Sequence, residues 1–251
     1  MSKNLFMKKT ILLFCVLGYA TIGAQTIEPI EADRPDQTET PAIVPKEMFQ
    51  AETGFTFQKK DKISNSLPSV LWKYGVNENF ELRLITEFVS EKINDEKSSG
   101  FTPILIGFKV KLCDEKGIIP KTSFIGHIGL PKIASSKYKT DFVAPEFRFT
   151  MQHTLSDKFS LGYNLGCEWD GMAPETTFVY TLTTGYSINN KLGCYAELFG
   201  FALEKDKANL NFDGGFTYLI NNNFMVDLSL GIGITDNAPD HYFAFGFSFR
   251  I

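Results

Sequence analysis

From Met48 onward the chain alternates between apolar and polar positions, and the alternation has a period of two. In FQAETGFTF, Phe49, Ala51, Phe55 and Phe57 stand against Gln50, Glu52, Gly54 and Thr56. In FELRLITEF, Phe80, Leu82, Leu84 and Phe88 stand against Glu81, Arg83 and Glu87. VAPEFRFTM, FSLGYNLGCEW and FMVDLSLGIGI follow the same rule, and the last ten residues, YFAFGFSFRI, place Phe243, Phe245, Phe247, Phe249 and Ile251 on one side. Period two predicts strands with one apolar and one polar face. About twelve such runs occur, each roughly 9–12 residues long, the length a tilted strand needs to cross a bilayer. No stretch of helical period competes with them.

The connections alternate as well. NEN at 77–79, SDK at 156–158, NNK at 189–191 and NNN at 221–223 are tight, and Asn and Asp suit such turns because they tolerate positive φ. Between them come longer polar segments: QKKDKISNS, SEKINDEKSSG, PKIASSKYKT, DGMAPETT, EKDKAN and TDNAPDH. Short turns at one end and long loops at the other are the habit of outer-membrane barrels. CDEKGIIP at 113–120 is the one long connection on the short side.

A secreted β-sandwich is the competing all-β reading, with its apolar faces meeting across two layers. The polar faces argue against it. They mix charges with Gly162, Gly166, Gly185, Gly215, Gly231 and Gly233, which leaves room near a barrel axis and gains nothing on a solvated face. Aromatics gather at strand ends (Trp72, Phe80, Phe159, Trp169, Phe224, Tyr242), as interfacial girdles require. The fold expected is therefore all-β: a transmembrane antiparallel up-and-down β-barrel of the Gram-negative outer-membrane type, over residues 47–251. A strand ending flush at the C-terminus closes the barrel against the first strand and removes both edges.

The first residues obey a different rule. Lys3, Lys8 and Lys9 precede the apolar ILLFCVLGYA, and the small Ala24 comes before Gln25, the order of a secretory signal removed from residues 1–24. The apolar run is too short for a spanning helix. Cys15 raises a lipoprotein alternative, but bulky Phe14 stands where a small residue is needed. Loss of three lysines and no acid moves the net charge of the 251-residue chain from −4 to −7. Such a charge advertises no nucleic-acid partner. The aromatic excess, 24 Phe and 9 Tyr beside two Trp, suits lipid as the partner instead. Cys113, Cys167 and Cys194 are too widely spaced for zinc or a redox pair and read as isolated apolar residues.

Residues 25–46, QTIEPIEADRPDQTETPAIVPK, carry Pro29, Pro35, Pro41 and Pro45 with dense charge and no alternation. Two readings stand side by side: an extended periplasmic leader, or a plug in the lumen that pairs Asp33, Arg34 and Asp36 with wall groups. Wall groups within reach are Lys73, Glu81, Arg83, Glu146, Arg148, Glu168 and Asp227. EADRPDQTETPAIVPKEMFQAETGF followed by LPSVLWKYGVNENFELRL resembles the outer-membrane proteins of the MetA-pathway of phenol degradation family. The rest of the chain matches through barrel pattern alone. The resemblance implies a small barrel that moves small molecules, aromatic ones included. It supplies no catalytic residue and does not fix the solute.

His127, His153 and His241 are scattered, and no His/Cys cluster has ligand spacing, so no metal or cofactor is expected. His127 and Ser123 share the inward face, away from lipid, which disfavours a barrel lipid hydrolase, and no GxSxG elbow occurs. Glu81 with Arg83, and Glu146 with Arg148, place opposite charges two positions apart on one face, where each pair stabilises the wall or sets a constriction. The expected function is passive passage of small solutes through the outer membrane, after export and insertion by the barrel-assembly machinery. The alternative is a structural or adhesive barrel with a closed lumen.

Overall fold

A computed structural model describes residues 28–60, 63–93 and 95–251, with the side chains of 63–66 left aside. The signal expected over residues 1–24 lies outside them. The described chain forms β1 (Phe49–Lys60), β2 (Ile63–Asn77), β3 (Phe80–Ile93), β4 (Glu96–Phe101), β5 (Leu105–Cys113), β6 (Lys121–Gly129) and β7 (Ala144–Thr154). It continues as β8 (Phe159–Glu168), β9 (Thr177–Ser187), β10 (Leu192–Leu203), β11 (Asn209–Asn221), β12 (Phe224–Gly233) and β13 (His241–Arg250). Apart from β4 and β5, consecutive strands pair antiparallel, and β1 pairs with both β2 and β13, so the sheet closes on itself. Both β4 and β5 pair with β3, one continuing the line of the other after a break at 102–104, which gives a closed wall of twelve strand positions.

Burial is inverted relative to a water-soluble protein. Gln50, Glu52, Glu81, Lys109, Thr150, Asn164 and Ser248 are fully buried, whereas Leu82, Leu165, Phe216, Leu228, Leu230 and Phe245 are exposed. Hydrocarbon around the wall makes this pattern favourable, since apolar groups meet lipid and each strand satisfies its backbone on its neighbours. The seam between the ends of the chain is held in the same way. Phe55 lies opposite Phe245, with ring centroids 5.2 Å apart and stacked, and the Ile251 and Phe49 amides exchange bonds with each other's carbonyls at 2.8 Å.

The tight turns carry the chemistry their residues favour. Asn77, Asn189 and Asn221 accept bonds from the backbone two residues on at 2.8–2.9 Å, and Ser156 does so at 3.3 Å. At the long-loop end the expectation needs correction. SEKINDEKSSG is a hairpin rather than a loop, because β3 runs on to Ile93 and β4 pairs back along it. The likewise long QKKDKISNS holds the ends of β1 and β2. Above the bilayer both faces of a strand meet water, so the alternation that marks strands in the wall disappears there.

Candidate functional site: a loop seated in the bore

Residues 28–46 enter the barrel at the short-turn end, fold into the bore and leave at the same end. Ile30 donates to the Asn222 carbonyl at 2.8 Å on the way in, and Glu47 donates to the Gly75 carbonyl at 2.7 Å on the way out. Between these points the segment makes no sheet ladder. Five of its backbone amides are instead satisfied by wall side chains, the kind of partner irregular backbone at membrane depth requires. Asp33 N donates to Glu52 (2.8 Å), Gln37 N and Thr38 N to Glu197 (2.8 Å each), Glu39 N to Asn164 (2.8 Å), and Val44 N to Glu81 (2.8 Å). Carboxylates suit this work because they only accept.

Asp33 is the centre of the arrangement. Its carboxylate receives Lys73 Nζ at 2.9 Å, Arg83 Nη1 at 3.0 Å and Lys109 Nζ at 2.9 Å, and it also accepts the Thr40 amide at 3.0 Å, which ties the loop across its base. Burial by itself pushes the Asp33 pKa up, but Lys109, Lys73 and Arg83 outweigh it and hold the carboxyl well below its usual range. The three cations come from β2, β3 and β5, three adjacent strand positions, and period two turns all of them inward. Further out, Arg83 Nη2 bonds Glu39 at 2.6 Å, while Lys109 reaches the Thr40 carbonyl (2.8 Å) and Ser123 Oγ the Pro41 carbonyl (2.7 Å).

Arg34 docks further round the wall, at the seam. Its Nη2 meets Asp227 of β12 at 2.9 Å, over the directly paired Gly54 and Gly246 of the β1–β13 seam. A Cβ on Gly54 would lie 1.9 Å from Arg34 Nη1, and the nearest atoms it would meet all belong to that guanidinium. Gly54→Val should therefore unseat Arg34 without disturbing the wall, costing about 1–2 kcal/mol of loop docking. Arg34→Ala should cost the same, and the double variant no more than either. Additive effects on the open fraction in bilayers would refute the shared seat.

Among the described residues Asp36 makes no ion pair. It lies by Thr183, with Asp213 of β11 across from it and Asp33 behind it in the loop, and burial, helped by these two acids, pushes its pKa up to about 7. Released into water the same carboxyl titrates near 4. The docked loop thus binds a proton that the released loop lacks between about pH 4 and 7, and docking weakens as pH rises across that window. The open fraction should be larger at pH 8 than at pH 5, and Asp36→Asn should flatten the difference. Equal open fractions at both pH values would count against it.

The residues singled out in the sequence thus part company. Asp33, Arg34, Lys73, Glu81, Arg83 and Asp227 contact one another across the loop–wall boundary, and Arg83 also meets Glu81 at 3.1 Å. Glu146 and Arg148 make no ion pair with each other. His127 takes Glu146 at 2.5 Å while its Nε2 accepts Arg83 Nε at 3.1 Å, which places the imidazole proton on Nδ1 toward the carboxylate. Arg148 is left to Glu39 and Glu168, each at 3.9 Å, and to the Gln37 carbonyl at 3.2 Å. Glu52, Lys109, Asn164, Glu197 and Asp213 were not singled out. Each stands at an inward position of its strand, so the alternation could have found them, but only the path of the loop separates them from other inward polar groups.

Above the loop two cavities remain. One of about 360 Å³ has Asp33, Glu39, Arg83 and Arg148 in its floor and Leu71, Ile85 and Leu105 in its walls. The next, about 470 Å³, shares Glu87, Thr102, Leu105 and Glu146 with it and rises to Glu168 and Trp169.

The family described as "Putative MetA-pathway of phenol degradation" matches residues 32–251. The COG4313 outer membrane channel from Pseudomonas putida F1 superposes with a TM-score of 0.67 at 9% identity, covering 88% of this chain and 100% of that one. The KdgM porin in complex with oligogalacturonate gives 0.52 at 10% identity over 80% and 98%, and the NanC porin 0.52 at 10% over 81% and 100%. These likenesses show a shared outer-membrane barrel fold. No curated protein matches the chain.

Proposed function

Because the chain belongs to the MetA-pathway of phenol degradation family, we propose that it is a passive outer-membrane channel for small solutes, apolar and aromatic ones among them, with residues 28–46 as its plug. The observation that carries this reading is how the loop is held along the bore: mainly by ion pairs and amide–carboxylate bonds, with the small apolar contacts of Ile30, Ala32, Ala42 and Val44 beside them. Water can take over every one of those bonds, so the loop can leave a stable barrel. An apolar plug could not do so without exposing its core. The mixed lining above it, charged groups between Leu71, Ile85, Leu105 and Trp169, offers contact to uncharged aromatic as well as polar solutes.

In this reading the protein is exported through its N-terminal signal, inserted by the barrel-assembly machinery, and does no catalysis. The Ser123 hydroxyl is spent on the plug, and His127 lies between Arg83 and Glu146. A closed structural barrel is the second reading, favoured by how completely the wall satisfies the loop. Planar-bilayer recording separates them. The whole chain should show brief small openings and load liposomes with small solutes. Silence from the whole chain and equally from a chain lacking residues 28–46 rejects transport.

A further inference from the structure

On the outer surface, at the long-loop end of the seam, an apolar groove of about 600 Å³ runs over Phe57, Phe212, Leu230, Ile232 and Phe243. Leu230 and Ile232 are 62% and 54% exposed, so the wall itself leaves the groove uncovered. Its floor is set by the closing strands, where Phe57 lies opposite Phe243 and Phe243 opposite Leu230. The Phe243 and Phe245 rings, 5.8 Å apart, continue it downward. Two residues above Phe57 and Phe243, Lys59 lies directly opposite His241 on the same outward side, and both line the groove. Two residues of strand are about 7 Å, so two hydrogen-bond donors of basic type crown an apolar channel at the height where head groups begin.

We propose that this groove is a binding site for one phosphorylated lipid of the outer leaflet, with its phosphate on Lys59 and His241 and an acyl chain along Phe57, Phe243 and Leu230. Charge and shape each point to that occupant. An ammonium and an imidazole N–H on directly paired residues of one face suit a phosphate oxygen. The apolar lining below suits a hydrocarbon chain and offers a polar ligand nothing. Asp240, next to His241 in the chain, donates its amide to the Lys59 carbonyl at 2.8 Å and so fixes the two strands together at the rim. Two exposed donors hold a free anion weakly in water, so the acyl chain is needed. A second copy of the chain would have to bury Lys59 and His241 against its own apolar wall, at the cost of their hydration.

The test uses the whole protein in detergent, stripped of lipid, with bound species weighed by native mass spectrometry. The probes are a diphosphorylated acylated disaccharide lipid, the same lipid dephosphorylated, phosphatidylethanolamine and inorganic phosphate. One diphosphorylated lipid per barrel is expected, held about tenfold more tightly than the dephosphorylated form, a ratio typical of one charge-assisted contact. Lys59→Gln with His241→Gln should erase that preference and leave thermal unfolding of the barrel unchanged. Leu230→Asn should weaken both lipid forms alike. Equal binding of the two forms by the native protein overturns the proposal without recourse to any variant. So does displacement of the lipid by millimolar phosphate, or a dimer mass that excludes lipid.

Discussion

Deletion of residues 28–46 is expected to raise single-channel conductance roughly tenfold, because conductance follows the open cross-section and twelve tilted strands set the backbone wall ~12 Å from the axis. The barrel should survive the loss. Its β-ladders close without the loop, and water entering the bore hydrates Lys73, Arg83 and Lys109 where Asp33 now neutralises them. The emptied bore presents more acids (Glu52, Glu81, Glu146, Glu168, Glu197, Asp213, Asp227) than bases (Lys73, Arg83, Lys109, Arg148, Arg250), so the larger current should be weakly cation-selective. A folded barrel lacking the loop, with conductance within about twofold of the whole chain, would show that something other than residues 28–46 obstructs the passage.

Asp33→Asn is expected to produce most of that opening with one atom exchanged. The substitution keeps the size of the side chain and removes the anion from among three cations. Lys73 retains Glu52 and Arg83 retains Glu81 and Glu39, but the nearest carboxylate left to Lys109 is Glu39 at 4.0 Å. Breaking a buried pair from one side costs about 3–5 kcal/mol, so the ratio of closed to open states should fall by roughly two to four powers of ten. Single-channel dwell times read this directly. Glu39→Gln serves as comparison, because its partners Arg83 and Arg148 keep other bonds. A smaller loss is expected there, and an equal one would move the latch away from Asp33.

Several parts of this arrangement were legible in the residues. Alternation in FELRLITEF and YFAFGFSFRI fixed which side chains face lipid, because a one-residue slip would send every phenylalanine inward. The same alternation put Lys73 and Arg83 inside. The hairpin of β3 and β4 was hidden, since Glu91, Lys92, Lys97 and Ser98 lie where neither face is apolar. The partner of Glu146 was hidden too. Residues two apart on a strand share a face, but His127 on the neighbouring strand β6 lies directly opposite and is closer.

Strand number, sidedness of the loops and the inward set were therefore decided by local order of apolar and polar residues, because lipid outside and water inside act on each strand independently. The course of residues 28–46 was decided only by the tertiary structure. A proline-rich charged segment has no period of its own, and its conformation comes from carboxylates and amines that five or more strands bring to one place. Which groups those are depends on closure of the ring. No single strand carries that information.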